Sequence, residues 1–244
     1  MKANLVFLFI CFSVCSSFGQ LNNSFDIIVG VDRTFRNANI DEDSEFFEAA
    51  ILDPTQLSLE QEEAKFNWRI GANYNKSLTE SNCLKLGLRF SSLGYKNGER
   101  SDLRFGSQHD GEGGFDSDAP SELSFTTDYL FIELPVSFGI MKAINKFSFY
   151  GEAGLSPNIY LTSRNKQTID NDSSTNLQGN PSVRSLHLSG FAAFGATYQL
   201  SESFSIFGQP SFRYHLTNLA KEGFVKEHLY SYGIEFGVRK NLGR

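Results

Sequence analysis

His187 and Ser189 are the two residues of this chain whose types and spacing could do covalent chemistry. A serine hydroxyl becomes a nucleophile when an imidazole takes its proton. On an extended strand, side chains two residues apart share a face at about 7 Å, so the pair would need favourable rotamers and an acid such as Glu152. The plainer reading is that both are hydrogen-bonding side chains on a polar face. A second constellation gathers Asp110, Glu112, Asp116 and Asp118 around Gly111, Gly113 and Gly114. Hard carboxylate oxygens on a bendable backbone are what Ca²⁺ accepts, but the spacing departs from the EF-hand pattern, and a solvated acidic loop is the simpler expectation. The third set is electrostatic. Asp26, Asp32, Glu133, Glu152 and Glu235 match in number Arg69, Lys85, Arg89, Arg213 and Arg239. If these charges share a confined interior they must pair, because an unpaired buried charge is very costly.

All three sets have to be held by elements whose apolar residues recur every second position, the mark of strands. Phe25, Ile27, Val29 and Val31 alternate with Asp26, Gly30 and Asp32. Phe66 to Tyr74, Leu84 to Phe90, Leu130 to Ile140, Phe147 to Leu155, Leu186 to Tyr198, Phe204 to Tyr214 and Tyr230 to Val238 repeat the pattern. The spacing predicts eight strands of about 9 to 11 residues, the length a tilted spanning strand requires. Long connections at 36–65, 96–127, 161–185 and 216–228 alternate with short ones at 77–82, 141–146 and 200–203. That is an up-and-down meander with its elaboration at one end and both termini at the other.

Ahead of the strands, Lys2, the apolar run from Leu5 to Val14 and the small residues Ser17 and Gly19 form an export leader over 1–19, with the barrel expected over 20–244. Cys11 and Cys15 depart with it, and Cys83 alone cannot form an internal disulfide. The whole chain carries 22 Lys plus Arg against 28 Asp plus Glu, so there is no basic footprint for nucleic acid. Phosphate-binding, dinucleotide and zinc-protease motifs are missing from the sequence, and no cofactor is implied.

Which face looks outward decides the class. A water-soluble barrel keeps apolar side chains inside and studs its exterior with charge. Here the polar face is rich in Gly, Ser and Ala, which suits the narrow interior of an eight-stranded barrel. The apolar face carries aromatic residues near strand ends, including Phe25, Phe66, Trp68, Tyr74, Phe147, Tyr198, Tyr214 and Tyr230, in the manner of interfacial girdles. The sequence therefore predicts an all-β, eight-stranded antiparallel transmembrane barrel. Arg69, Lys85, Arg89, Glu133, Glu152, Arg213, Glu235 and Arg239 are its expected lumen network.

The stretches Asp128-Tyr129-Leu130-Phe131-Ile132-Glu133-Leu134-Pro135 and Phe194-Gly195-Ala196-Thr197-Tyr198, with the order of segments, resemble the PorT-type outer-membrane β-barrel family of Gram-negative bacteria. That resemblance implies a cell-outer-membrane location and a link to type IX protein secretion. The expected role is a non-catalytic one at the envelope, with outer-membrane lipid, lipopolysaccharide and envelope or secretion-complex proteins as partners. The alternative is a lipid A-modifying enzyme, because small lipid A deacylases resemble this barrel and use a His-x-Ser pair, which His187 and Ser189 would supply.

Overall fold

The computed structural model describes residues 23–40, 62–100, 123–169, 172–178, 182–221 and 225–242. The leader at 1–19 and the candidate ligands Asp110, Glu112, Asp116 and Asp118 lie outside them. Ten strands follow in order: β1 (Ser24–Ile40), β2 (Glu62–Ser77), β3 (Asn82–Arg100), β4 (Leu123–Glu133), β5 (Val136–Ile144), β6 (Phe147–Ile169), β7 (Asp172–Gln178), β8 (Leu186–Gln199), β9 (Phe204–His215) and β10 (Val225–Asn241). Every pairing is antiparallel, and β1 pairs with both β2 and β10, so the sheet closes on itself.

The cylinder has eight staves because two of the ten strands are parts of larger ones. β4 and β5 occupy one stave, with Leu134 and Pro135 between them. Proline has no N–H for the ladder, yet the stave holds: Gly87 N donates to Pro135 O at 2.8 Å and Leu134 N to Pro157 O at 2.9 Å. The single strand expected over 130–140 is thus interrupted there. β7 is a short extension that pairs with β6 only.

Alternation fixes the faces as an inversion of a soluble protein. Along β1, Ile27, Val29 and Val31 are 58%, 51% and 54% exposed, whereas Asp26 and Asp32 are each 1% exposed. Trp68, Leu88, Ile140, Phe194, Phe212 and Phe236 continue the exposed apolar belt around the wall. Only a lipid surround makes that arrangement favourable, since water would be set against a continuous hydrocarbon surface.

The outer ends correct the expected boundaries. Strands of about 9 to 11 residues and long loops at 36–65, 96–127, 161–185 and 216–228 were predicted, but β1 runs to Ile40, β3 to Arg100 and β6 to Ile169. Beyond the belt the sequence of these segments is mostly polar, as in Lys96 to Arg100 and Arg164 to Thr168, so hydrophobic alternation does not mark them, although their backbone groups continue the ladders. Bulges accompany this extension, between Ala64 and Arg69 on β2 and beside Leu130 and Phe131 on β4. At the opposite end, the turn expected over 141–146 tightens to Asn145 and Lys146, with Ile144 paired to Phe147. Asn145 has φ 55°, a left-handed conformation that asparagine tolerates.

Candidate functional site

Inward positions of the eight staves stack the lumen in tiers. In the tier nearest the short turns, Arg239 Nε and Nη2 donate to Asp26 Oδ1 and Oδ2 at 2.8 and 2.9 Å. Lys85 Nζ lies 2.6 Å from Glu152 Oε2 and 4.6 Å from the centre of the Tyr150 ring. Tyr150 Oη donates to Gln209 Oε1 at 2.6 Å, and Gln209 Nε2 donates to Glu235 Oε2 at 2.6 Å, which ties this tier to the next. Gly195 makes room for the link. A Cβ at that position would stand 2.7 Å from Gln209 Cβ and 2.9 Å from the Tyr150 ring.

Three arginines and three acids fill the middle tier. Arg69 Nη1 donates to Glu235 Oε1 at 2.5 Å, and its Nη2 lies 2.6 Å from Asp32 Oδ2 as an ion-pair contact off hydrogen-bond geometry. Arg89 Nη1 donates to the same Glu235 oxygen at 3.0 Å. Arg213 pairs with Glu133, whose Oε1 also accepts from Ser91 Oγ at 2.6 Å. The guanidinium groups of Arg89 and Arg213 flank the Phe191 ring at 5.7 and 5.8 Å. The structure brings together all eight residues proposed for the network, and with them Asp26 and Asp32.

Above the charges the lumen turns apolar. Leu93, Tyr129, Phe131 and Leu229 pack with Val183 and Leu219, and Tyr95 and Tyr160 lie against them. Val183 and Leu219 come from the connections on either side of β8 and β9. They are held by the Val183–Ala220 bridge, by Arg184 N donating to Leu219 O at 3.0 Å and by Lys221 N donating to Ser182 O at 2.7 Å. This plug closes the mouth over the ion pairs. Sequence reasoning missed it because Leu93, Tyr129, Phe131 and Leu229 are apolar residues at inward positions, where the alternation rule expects polar ones. Tyr150 and Gln209 could have been found, since their parity places them inside.

His187 and Ser189 are both sealed beneath the plug, at 1% and 0% exposure. Ser189 Oγ accepts from Asn158 Nδ2 at 3.0 Å and donates to Ser156 O at 3.4 Å. His187 Nε2 sits 2.7 Å from Arg184 O, and its Nδ1 faces Thr217 Oγ1 at 3.5 Å. Glu152 is engaged by Lys85 and Gln209 one tier lower. The three groups do not converge on a point that lipid can reach. Cys83 is a free thiol, and among the described residues no group of three or more His, Cys, Asp or Glu could hold a metal.

A closed antiparallel barrel with an even number of staves, a continuous apolar belt and its longer extensions at one end is the outer-membrane type of β-barrel. We place the chain in the outer membrane on that architecture. No family model and no curated protein matches the sequence. Solved structures are similar in fold. Neisserial surface protein A shares 15% identity over 89% of this chain and 97% of that one, with a TM-score of 0.42. The outer membrane protein OprG from Pseudomonas aeruginosa shares 10% over 93% and 99%, at 0.46. The outer membrane protease OmpT from Escherichia coli shares 10% over 93% and 98%, at 0.47. These are likenesses of fold.

Proposed function

We propose that the chain is a non-catalytic outer-membrane barrel that presents its outer strand extensions and loops as an interaction scaffold at the cell envelope. The observation that carries this reading is the lumen, filled among the described residues by ion pairs beneath the plug, with His187 and Ser189 buried at 1% and 0% exposure. A protein that invests its strand length outside the belt, as β6 does with 23 residues, has its accessible surface there. Lipid, lipopolysaccharide and envelope proteins are the partners that surface meets. The resemblance of Asp128–Pro135 and Phe194–Tyr198 to the PorT-type family supports a finer assignment, attachment to a type IX secretion assembly.

Proximity labelling from a peroxidase inserted within 101–122 tests the proposal. Reproducible labelling of a defined set of envelope proteins is expected, enriched in secretion components if the finer assignment holds. A labelled set no different from that of an unrelated barrel would contradict the scaffold role.

A further inference from the structure

The apolar belt is not smooth. Where it crosses β8, β9, β10 and β1, the outward side chains leave a groove of 590 Å³. Its lower lip is the register row Tyr198, Ile206, Val238 and Ile27, continued on β6 by Phe147, whose ring meets the Tyr198 ring at 4.9 Å. In the next row Ala196 and Gly208 stand beside Phe236 and Val29. A methyl group and a hydrogen fill little of the wall there, so backbone becomes the floor. Thr197 and Phe207 line the groove although they face the lumen, each only 6% exposed.

The groove has limits on each side. Phe194, two residues from Ala196 along β8 and 70% exposed, walls it above. Phe204, Lys240 and Phe25 form the row below, where the Lys240 charge marks the change from hydrocarbon to headgroups. Past Val29 the upper row continues as Ile70 and Phe90, which fill the wall again. From Phe147 on β6 to Ile27 on β1 the groove spans four interstrand spacings, about 19 Å. With strands tilted by about 45°, one leaflet of a core roughly 30 Å thick measures about 21 Å along such a row. That is the run of a single acyl chain, whereas a spanning helix is about 10 to 12 Å wide and needs contact across both leaflets. In lipid no hydrophobic force favours one apolar contact over another, but an empty floor forfeits dispersion contacts that a seated chain restores.

We infer that this groove seats one acyl chain of a glycerophospholipid from the leaflet on the short-turn side, with its headgroup at the level of Lys240. Phe147 opens β6 directly after the turn, and Ile27 is the fourth residue of β1, which sets that depth. The inference rests on the outer-membrane placement and is independent of what the outer extensions bind.

Native mass spectrometry of the chain, reconstituted with phosphatidylethanolamine and then moved into detergent, is the test. The wild type is expected to retain one phosphatidylethanolamine per chain, and Ala196→Leu/Gly208→Leu to lower that occupancy about tenfold. Both positions face outward, and a Cβ on Gly208 would meet only the Phe236 ring, at 3.3 Å, so filling the groove presses on no backbone. Equal retention in a folded double variant overturns the inference. So does a wild type that keeps no lipid, that keeps lipid A in preference, or that keeps a second copy of the chain in place of lipid. Should the double variant fail to fold, Ala196→Leu alone must lower the occupancy in its place. A barrel that inserts into vesicles yet retains no lipid refutes the groove alone, whereas failure to insert refutes the outer-membrane placement as well.

Discussion

Arg239 on the last strand clamps Asp26 on the first through two hydrogen bonds of 2.8 and 2.9 Å, directly across the register pair that closes the cylinder. The clamp lies within the lumen, with the Asp26 side chain 1% and the Arg239 side chain 12% exposed. Its position makes it a lock on the seam that no hairpin turn secures.

Asp26→Asn would leave a buried guanidinium without its counter-charge, at a cost of about 3 to 5 kcal/mol, whereas the apolar pair Asp26→Leu/Arg239→Met should be close to neutral. Urea unfolding in lipid vesicles checks both. Equal losses in the single and double variants would show that the pair itself, rather than the stranded charge, sets the stability.

Closure of the lumen rests on two separate barriers. Val183→Ala/Leu219→Ala should weaken the plug, but Arg69, Arg89 and Arg213 with their acids still fill the tier beneath it. No conductance steps are expected from this variant in planar bilayers. Sustained openings would mean that the plug alone seals the barrel.

Among the described residues, Ser189 Oγ accepts from Asn158 and donates to the Ser156 carbonyl rather than to a base. Ser189→Ala should leave lipid A acylation unchanged in an expressing host and cost about 1 kcal/mol for the lost hydrogen bond. Mass spectrometry of extracted lipid A reads the first part. Protein-dependent deacylation that disappears in the variant would revive the enzyme.

Lys65, just past the belt, has its pKa lowered to about 8 by burial and by the neighbouring Arg164 guanidinium. Among the described residues, Asp128 is the acid in contact with it. An unfolded lysine, near 10.4, holds its proton more tightly, so between about pH 8 and pH 10 the unfolded chain binds more protons than the folded one. This group's contribution to stability therefore rises with pH across that window, and Lys65→Met removes the slope. Urea unfolding in lipid vesicles at pH 8 and pH 10 reads the slope, and a slope unchanged in Lys65→Met would show that another group sets it.

The belt and the ion pairs were legible in the sequence because a period of two, read along Phe25–Val31 or Leu84–Phe90, separates the faces without knowledge of the partner strands. The plug was not, since Phe131, Leu93 and Leu229 break the rule of their own staves and find a reason only in Val183 and Leu219, which come from distant connections. Strand ends were misjudged for a related reason. Arg164 to Thr168 carry no apolar signal, and their ladder is sustained by neighbours on β4 and β7. The interruption at Pro135 was visible as a proline, but not that Gly87 and Pro157 would bridge it.

Trp68, the one tryptophan of the chain, is 43% exposed in the belt and packs at 5.4 Å against Phe90. Its fluorescence in reconstituted vesicles reports directly on what surrounds the wall. Lipids brominated along the acyl chain should quench it strongly while aqueous iodide leaves it bright. Quenching by iodide with no response to brominated lipid would show water at that surface and contradict the barrel's orientation in the membrane.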